Sequence, residues 1–193
     1  MTDFYFQPLS IEHINLLHKW MQEPHVSQWW GEGRSWSLGE IKEKYTSYTH
    51  GYKMQQGTKK TIHPFIIEFE KRPVGYIQFY RAADFPRDGF SVENIWQDQN
   101  KSLAAIDFYI GEPQSLGVGL GTQALQSFLQ DHVFKHFDAC LVDPEKNNKA
   151  AIKAYAKAGF STLRDLDSSI IMIAHRALIQ PIVIGFGSNI NCR

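Results

Sequence analysis

The stretch of sequence that decides the fold is Gln114-Ser115-Leu116-Gly117-Val118-Gly119-Leu120-Gly121-Thr122. An apolar segment at residues 104–111 precedes it, and apolar residues at helical spacing follow it as far as residue 133. Glycines let a backbone approach a ligand closely, and the free N–H groups at the start of a helix attract phosphate. The stretch therefore predicts a strand, a phosphate-binding turn and a helix, with no metal needed to hold the phosphate.

The spacing of these glycines differs from that of two common nucleotide-binding motifs. The turn lacks the Gly-Lys-Ser/Thr ending of a nucleoside-triphosphate loop. Its third glycine comes one position too early for a dinucleotide fingerprint, and that fold would place the motif near its first strand. Glycines that serve only the packing of a tight strand-to-helix turn stay an alternative, because an isolated glycine motif is weak evidence.

The segments on both sides of the turn predict a sheet covered by helices. The predicted strands lie at residues 65–69, 74–80, 104–111, 138–142 and 169–174. The predicted helices lie at residues 10–21, 38–48, 120–133 and 148–158. Ser10 begins the first helix with an imperfect capping box, because Glu12 comes one residue too early. A hairpin followed by alternating strands and helices indicates an α/β (α+β) fold with a mixed sheet.

The composition excludes several classes of protein. The chain has 193 residues, of which 43% are hydrophobic, so we expect one globular domain with a substantial core. Its 20 Lys plus Arg balance 20 Asp plus Glu, which argues against nucleic-acid and polybasic membrane-surface binding, since both need a large positive field. The charge is nevertheless uneven: residues 53–72 hold five bases and two acids, and residues 84–98 hold four acids and one base.

The cysteines and the N-terminus bear on the compartment. Cys140 and Cys192 are too few and too far apart for a disulfide framework or a thiolate zinc site. The first residues lack the basic and apolar regions of a signal peptide, and no apolar run approaches the roughly 18 residues that span a bilayer. We therefore expect a cytoplasmic protein with reduced thiols and no metal.

A second motif lies at residues 148–160, which read Asn-Lys-Ala-Ala-Ile-Lys-Ala-Tyr-Ala-Lys-Ala-Gly-Phe. Together with the Gln-x-x-Gly-x-Gly turn, it resembles the two signatures of the GNAT superfamily of acyl-CoA-dependent N-acetyltransferases, in the same order and at the same separation. The resemblance implies one GNAT-like domain at residues 1–175, with a mixed, mostly antiparallel central sheet flanked by helices. The tail at residues 176–193 has no counterpart in that pattern.

The resemblance is closer to the aminoglycoside 6'-N-acetyltransferases, through residues 17–31, 74–78 and 142–144. It implies transfer of an acetyl group from acetyl-CoA to the 6'-amine of an aminoglycoside by direct attack in a ternary complex, and hence antibiotic resistance. With nucleic-acid and membrane partners disfavoured by the charge balance, we expect a small-molecule polyamine acceptor as partner, and the oligomeric state stays open between monomer and homodimer. Siderophore-pathway acetyltransferases that act on hydroxylamines share much of the pattern and stay an alternative, as does a non-catalytic CoA-binding module.

The resemblance assigns a binding role for CoA to both motifs. The glycine turn would hold the pyrophosphate through backbone N–H groups, and the strand before it, which carries a bulge in the superfamily, would pair with the pantetheine arm. Asn148 fits equally well as a simple helix N-cap. The residues implied to bind the cosubstrate are Phe108, Tyr109, Ile110, Gln114, Leu116, Gly117, Val118, Gly119, Leu120, Gly121, Thr122, Asn148, Ala151 and Tyr155.

Two residues are expected to be catalytic. Asp107 interrupts an otherwise apolar strand, where aspartate is disfavoured, and the matching aspartate of the aminoglycoside enzymes meets the substrate amine. Asp107 would thus orient the ammonium and accept its proton late or through water. Tyr155 would protonate the departing CoA thiolate, since a tyrosine pKa of about 10 is close to a thiol pKa of about 8.5. An exposed strand face and a buried aromatic are the respective alternatives.

The acceptor is expected to meet a further set of side chains, namely Trp29, Trp30, Gln78, Tyr80, Asp107 and Asp143. Packing or sheet surface is the alternative for the aromatic residues and Gln78, and an Asp-Pro turn is the alternative for Asp143. Cys140 lies in an apolar strand and is expected to be an inert thiol rather than an acyl carrier. No histidine occurs between His63 and His132, which weakens the hydroxylamine alternative.

Overall fold

The computed structural model describes residues 4–30, 34–92, 95 and 101–176. Within them the strands are β1 (Phe4–Pro8), β2 (Tyr52–Gln55), β3 (Thr58–Phe69), β4 (Arg72–Arg81), β5 (Leu103–Ile110), β6 (Ala139–Val142), β7 (Ser161–Asp165) and β8 (Ile170–His175). The α-helices are α1 (Ile14–Met21), α2 (Pro24–Ser27), α3 (Leu38–Thr49), α4 (Leu120–Phe128) and α5 (Lys149–Lys157). A π-helical turn, Leu129–Val133, continues α4.

One sheet holds the described strands together, in the order β1-β3-β4-β5-β6-β8-β7, and β2 pairs with the first part of β3. Every described pair is antiparallel except β5 with β6, which are parallel and are connected through α4. The expected mixed, mostly antiparallel sheet is therefore confirmed. A parallel pair needs a crossover connection, and the glycine turn begins that crossover.

Helices cover both faces of the sheet and create two cores. Alternate side chains of a strand point to opposite faces, so Tyr76 and Tyr80 join the core under α1 and α3, whereas Ile77 and Phe79 join the core under α4 and α5. Residues 74–80 of β4 are buried on both faces, which explains their almost continuous apolar sequence. Full burial of an aliphatic side chain, as at Leu17, contributes about 1.5–3 kcal/mol.

The first helix begins differently from the sequence prediction. Residues Ile11–His13 form a 3-10 turn before α1, and the acceptor that completes the capping box is the His13 ring rather than Glu12. The Nδ1 atom of His13 accepts the Ser10 N–H at 3.0 Å. The early position of the acid is thus explained, because an imidazole three residues after the cap satisfies the same backbone donor.

The edges of the predicted domain are described only in part. The last described residue is Arg176, the first of the predicted 176–193 tail, and it donates to the Asp138 carboxylate at 2.6 Å. Residues 177–193 of that tail lie outside the described residues. None of the described helices combines the length and apolarity needed to cross a bilayer.

Candidate active site

An opening in the sheet lies where β5 and β6 stop pairing. Their parallel ladder joins only Leu103–Ala105 to Ala139–Leu141. Beyond it β5 continues to Ile110 with its other edge paired to β4, while β6 ends at Val142 and the following residues stay beside the start of β8, where the Ile170 N–H donates to the Pro144 carbonyl at 3.0 Å. Asp107 and Asp143 each lie two residues past the last pair, so the two acids predicted to meet the acceptor stand on opposite sides of one opening.

The Asp107 carboxylate is held by its neighbours on β4. The Gln78 amide donates to Oδ2 at 2.5 Å, and the Tyr80 hydroxyl donates to Oδ1 at 3.2 Å. The Tyr76 hydroxyl in turn donates to Gln78 Oε1 at 2.6 Å, which fixes the direction of the amide. Gln78 and Tyr80, predicted to meet the acceptor, therefore bind Asp107 directly and set its orientation.

The surroundings of Asp107 favour a proton acceptor. Burial raises the pKa of its carboxyl above the ordinary value, the Gln78 hydrogen bond opposes this shift, and the negative charge of Asp143 adds to it. A carboxylate whose pKa is raised toward that of the reacting group accepts a proton more readily than an exposed one. The unusual aspartate in an apolar strand is thus a partly buried, hydrogen-bonded group rather than an exposed strand face.

Two pockets meet at Asp107, and both are lined by Trp29 and Trp30. The lysine pocket has a volume of about 240 Å³ and is completed by Lys44, Tyr45, Tyr48, Lys53 and Gln78. The α5 pocket has a volume of about 250 Å³ and is completed by Ile106, Phe108, Asp143, Pro144, Glu145, Asn148, Ala151 and Tyr155. Predicted acceptor residues and four predicted cosubstrate residues, Phe108, Asn148, Ala151 and Tyr155, therefore line these adjoining pockets, whereas no residue of the glycine turn lines either one.

Tyr155 faces this region from helix α5. Its ring packs edge-on against Phe160 with centroids 5.5 Å apart, and the residue is 8% exposed. Burial raises the pKa of its hydroxyl, so Tyr155 carries its proton at neutral pH. The same shift makes it a weaker acid than an ordinary tyrosine and widens the difference from the pKa of a thiol. The hydrogen-bond partners of Asp107 lie on the face of the sheet that α1 and α3 cover, whereas Tyr155 belongs to the core on the opposite face, under α4 and α5. Both residues nevertheless line the α5 pocket, because β6 does not continue beside β5 at this point.

The glycines of the turn serve different purposes. Gly117 and Gly119 have φ angles of +75° and +84°, a region that L side chains rarely adopt, and a Cβ on Gly117 would meet no atom within 4 Å. A Cβ on Gly121 would instead lie 3.3 Å from the Phe108 ring, so that glycine allows α4 to pack closely on β5. Close packing thus accounts for Gly121, whereas the left-handed backbone conformation accounts for glycine at 117 and 119.

The side chain of Gln114 is engaged within the protein. It donates to Glu112 at 3.1 Å, and the other oxygen of Glu112 accepts from Lys19 at 2.6 Å and from the Trp20 indole at 2.8 Å. A Cβ on Gly111 would collide with the same indole ring. Helix α1 therefore fastens the start of the turn to the end of β5. Leu116 and Val118 are exposed beside it, Leu120 is buried in the core, and Thr122 lies on the first turn of α4.

The backbone of β5 differs from the superfamily pattern. The register with β4 runs without interruption from Gly75–Ile110 to Arg81–Ala104, so the expected bulge in β5 is wrong for this chain. The edge of β5 toward β6 opens at Phe108, Tyr109 and Ile110 because β6 ends, not because β5 is distorted. His25, which the sequence did not single out, lies 3.1 Å from the Ile110 carbonyl oxygen through its Nε2 atom.

Asn148 and Cys140 can be assigned from their contacts. The Asn148 Oδ1 atom accepts the Ala151 N–H at 3.0 Å, so the N-cap interpretation is confirmed, and the residue also lines the α5 pocket. Cys140 is fully buried in β6, and burial raises its thiol pKa well above the ordinary value, which agrees with an inert thiol. Among the described side chains, no cluster of three or more His, Cys, Asp or Glu could hold a metal ion.

Three basic residues near the site were not predicted. Arg87 donates from Nε to Asp143 Oδ2 at 2.8 Å, and Lys44 and Lys53 line the lysine pocket. The uneven charge along the sequence was the one feature that could have indicated basic residues near the site. The basic 53–72 and acidic 84–98 segments do contact each other, for instance where Lys60 Nζ lies 3.1 Å from Asp84 Oδ1. The partner of Arg87 lies 56 positions away, and no local pattern marks it.

Known proteins resemble this chain over most of its length. Aminoglycoside N(6')-acetyltransferase type 1 from Klebsiella pneumoniae is 28% identical over 158 residues, which cover 79% of this chain and 71% of that protein. N(6)-hydroxylysine O-acetyltransferase from Escherichia coli is 26% identical over 157 residues, which cover 77% of this chain and 43% of that protein. The solved structure of AAC(6')-Ib in complex with paromomycin and acetyl-CoA has the same fold, with a TM-score of 0.75, 24% identity, and coverage of 91% of this chain and 95% of that one. A family model described as an acetyltransferase (GNAT) domain matches residues 10–168, and the chain therefore belongs to the GNAT acetyltransferases.

Proposed function

We propose that this protein transfers the acetyl group of acetyl-CoA to the 6'-amine of an aminoglycoside, by direct attack in a ternary complex. The observation that carries the proposal is the meeting of two aspartates, Asp107 and Asp143, with Asn148 and Tyr155 around the α5 pocket. Carboxylates attract an ammonium group, and the motif residues on α5 face the same space. The similarity to aminoglycoside N(6')-acetyltransferases supports this choice of acceptor.

The chain's own groups fit acetyl-CoA as a substrate. The open space at Gly117 and the N-terminus of α4 would take the pyrophosphate, and the unpaired edge of β5 would take the peptide-like pantetheine arm. The acetyl thioester would then lie in the α5 pocket between Asp107 and Tyr155. A backbone N–H of β5 aimed at the thioester oxygen would stabilise the negative charge that develops there, typically by about 3 kcal/mol.

The reaction proceeds by addition and elimination. The amine nitrogen forms a bond to the carbonyl carbon, the carbon–sulfur bond breaks, and the electron pair leaves with the CoA sulfur. Asp107 holds the ammonium, which first loses one proton to water and so frees the lone pair that attacks. Asp107 accepts the second proton from the nitrogen, directly or through water, as the carbon–nitrogen bond forms. Tyr155 gives its hydroxyl proton to the sulfur and is reprotonated from water, so that one proton is released overall. The neutral amide product carries one positive charge fewer, which weakens its binding to ribosomal RNA phosphates and so confers resistance.

A hydroxylamine bearing a carboxylate is the second candidate acceptor. Lys44 and Lys53 in the lysine pocket would attract such an acid group, and a hydroxylysine acetyltransferase is among the similar proteins. Neither pocket is lined by a histidine among the described residues, which disfavours a histidine base for the hydroxyl group. Competition between N6-hydroxylysine and an aminoglycoside for one supply of acetyl-CoA separates the two candidates.

The direct test is release of CoA thiol by the purified protein with a panel of aminoglycosides. We expect turnover with acceptors that carry a 6'-amine and none with analogues that carry a 6'-hydroxyl. NMR of the product locates the new amide. No turnover with any member of the panel would contradict the proposed acceptor and leave the assignment to the GNAT acetyltransferases intact.

A further inference from the structure

Arg87 places a buried positive charge on the acceptor side of the site. Its side chain is 9% exposed, and its Nε donates to Asp143 Oδ2 at 2.8 Å. Its two terminal nitrogens lie 3.5 Å from the Tyr80 hydroxyl and 3.5 Å from the Phe85 carbonyl oxygen. Tyr80 also donates to Asp107, so the guanidinium is connected to both aspartates of the opening.

The backbone around Arg87 fixes this position. The Phe90 N–H donates to the Arg87 carbonyl at 3.2 Å, which closes a tight turn, and Gly89 within it has a φ of +71°. Phe85 and Phe90, on either side, pack on the core under α1 and α3 together with Leu166. Arg87 is therefore anchored on both sides, unlike an arginine on a solvated loop that happens to meet an acid.

The pair changes the charge that an acceptor meets. The described acids that line the two pockets are Asp107, Asp143 and Glu145, and the described bases that line them or bind their acids are Lys44, Lys53 and Arg87. The described charges therefore balance. A polycationic acceptor is attracted by an excess of acid, which this site would have only if Arg87 left Asp143.

We propose that Arg87 is a specificity-determining residue, whose guanidinium occupies Asp143 in place of an acceptor ammonium and selects against highly charged acceptors. This inference rests on the proposed function, because it concerns the binding of amines at the same opening. An acceptor with a single ammonium uses Asp107 and does not compete with Arg87. A further ammonium group of a polycationic acceptor competes with the guanidinium for Asp143, whose Oδ2 already accepts from Arg87 Nε and whose charge Arg87 offsets.

The test compares Arg87→Gln with the wild type in steady-state kinetics at saturating acetyl-CoA. Kanamycin serves as the polycation, and 6-amino-6-deoxyglucose as a monocation with the same reacting amine. We expect Arg87→Gln to lower the KM for kanamycin about tenfold, as for removal of one competing charged hydrogen bond, with little change in kcat or in the KM of the monoamine. Arg72→Gln, which breaks an exposed pair with Glu70, is the matched control and should change none of these values.

Further variants keep the test decisive. Arg87→Lys retains the charge and should keep a KM close to that of the wild type, and Arg87→Met replaces Arg87→Gln if the latter does not fold. An unchanged or raised KM for kanamycin in the charge-free variant overturns the inference, and turnover by the wild type then leaves the proposed function standing. Turnover of kanamycin by the variant but not by the wild type supports the inference and overturns the proposed function. No turnover by either protein overturns both.

Discussion

Replacement of Asp107 by asparagine should separate catalysis from stability. The amide has nearly the same shape, so its oxygen can still accept from Gln78, while its NH₂ group can face the Tyr80 hydroxyl. The charge that holds the acceptor ammonium is lost. A hydrogen bond to a charged group is worth about 1.5–3 kcal/mol, so we expect kcat/KM for an aminoglycoside to fall roughly 10- to 150-fold.

The stability of the same variant should change in the opposite direction. Because burial raises the pKa of Asp107, the folded protein binds this proton more tightly than the unfolded chain. The free energy of unfolding therefore decreases as pH rises through that pKa, and the loss persists at neutral pH. Asparagine does not titrate, so Asp107→Asn should be at least as stable as the wild type at pH 7, with a flatter pH dependence in the acid range.

Thiol release measures the activity, and urea titration at several pH values measures the stability. Asp165→Asn, which breaks an exposed ion pair with Lys146, is the matched control and should leave kcat/KM unchanged. Wild-type kcat/KM in Asp107→Asn would refute the role of the carboxylate. A loss of activity accompanied by a clear loss of stability would instead mean that Asp107 is structural.

Three further substitutions test other parts of the structure. Tyr155→Phe should lower kcat about 100-fold without changing the KM for acetyl-CoA in steady-state assays, and an unchanged kcat would exclude the proton-donor role. Gly111→Ala places a Cβ inside the Trp20 ring and should lower the free energy of unfolding, measured by urea titration, by about 1–3 kcal/mol. Gly39→Ala is its control: the new Cβ lies within α3, 3.9 Å from the nearest atom, and should raise the free energy of unfolding by about 0.5 kcal/mol. Asn148→Asp keeps the helix N-cap and should unfold like the wild type, whereas Asn148→Ala should lower the free energy of unfolding by about 1 kcal/mol. If the KM for acetyl-CoA rises in both variants, the Asn148 amide takes part in substrate binding as well as in capping.

The sequence predicted the elements whose pattern is strong and local. The hairpin of β3 and β4, the strands β5, β6 and β8, and the helices α1, α3, α4 and α5 were all expected, with ends shifted by a few residues and β3 beginning seven residues earlier. Strands β1, β2 and β7 were not predicted from the sequence. Each has only four or five residues, and all five residues of β7 are exposed, so no alternation of buried and exposed side chains marks it.

The residues of the candidate site also differ in how far a local sequence pattern reveals them. Asp107 was recognisable because a charge in an apolar strand needs a cause, and Tyr155 because it belongs to a motif. The role of Gln78 could not be recognised from the sequence, since only the pairing of β4 with β5 places it opposite Asp107. Arg87 was still harder to predict from the sequence, because it lies in a segment without periodicity and its partner, Asp143, follows a different strand. Residues that act through tertiary pairing leave no local signal.

The position of the site follows from the one parallel pair in the described sheet. In a parallel pair both strands end at the same edge, so the residues after β5 and β6 and the helices that follow them converge there. Helix α4 brings the positive end of its dipole to this edge beside Gly119, and the two strands bring the carboxylates of Asp107 and Asp143. Pro144, three residues past the last pair of the ladder, has no N–H with which β6 could resume its pairing with β5. A polyanionic and a cationic substrate can therefore approach one opening from different sides, the first toward the positive end of α4 and the second toward Asp107, which is not paired directly with any described base.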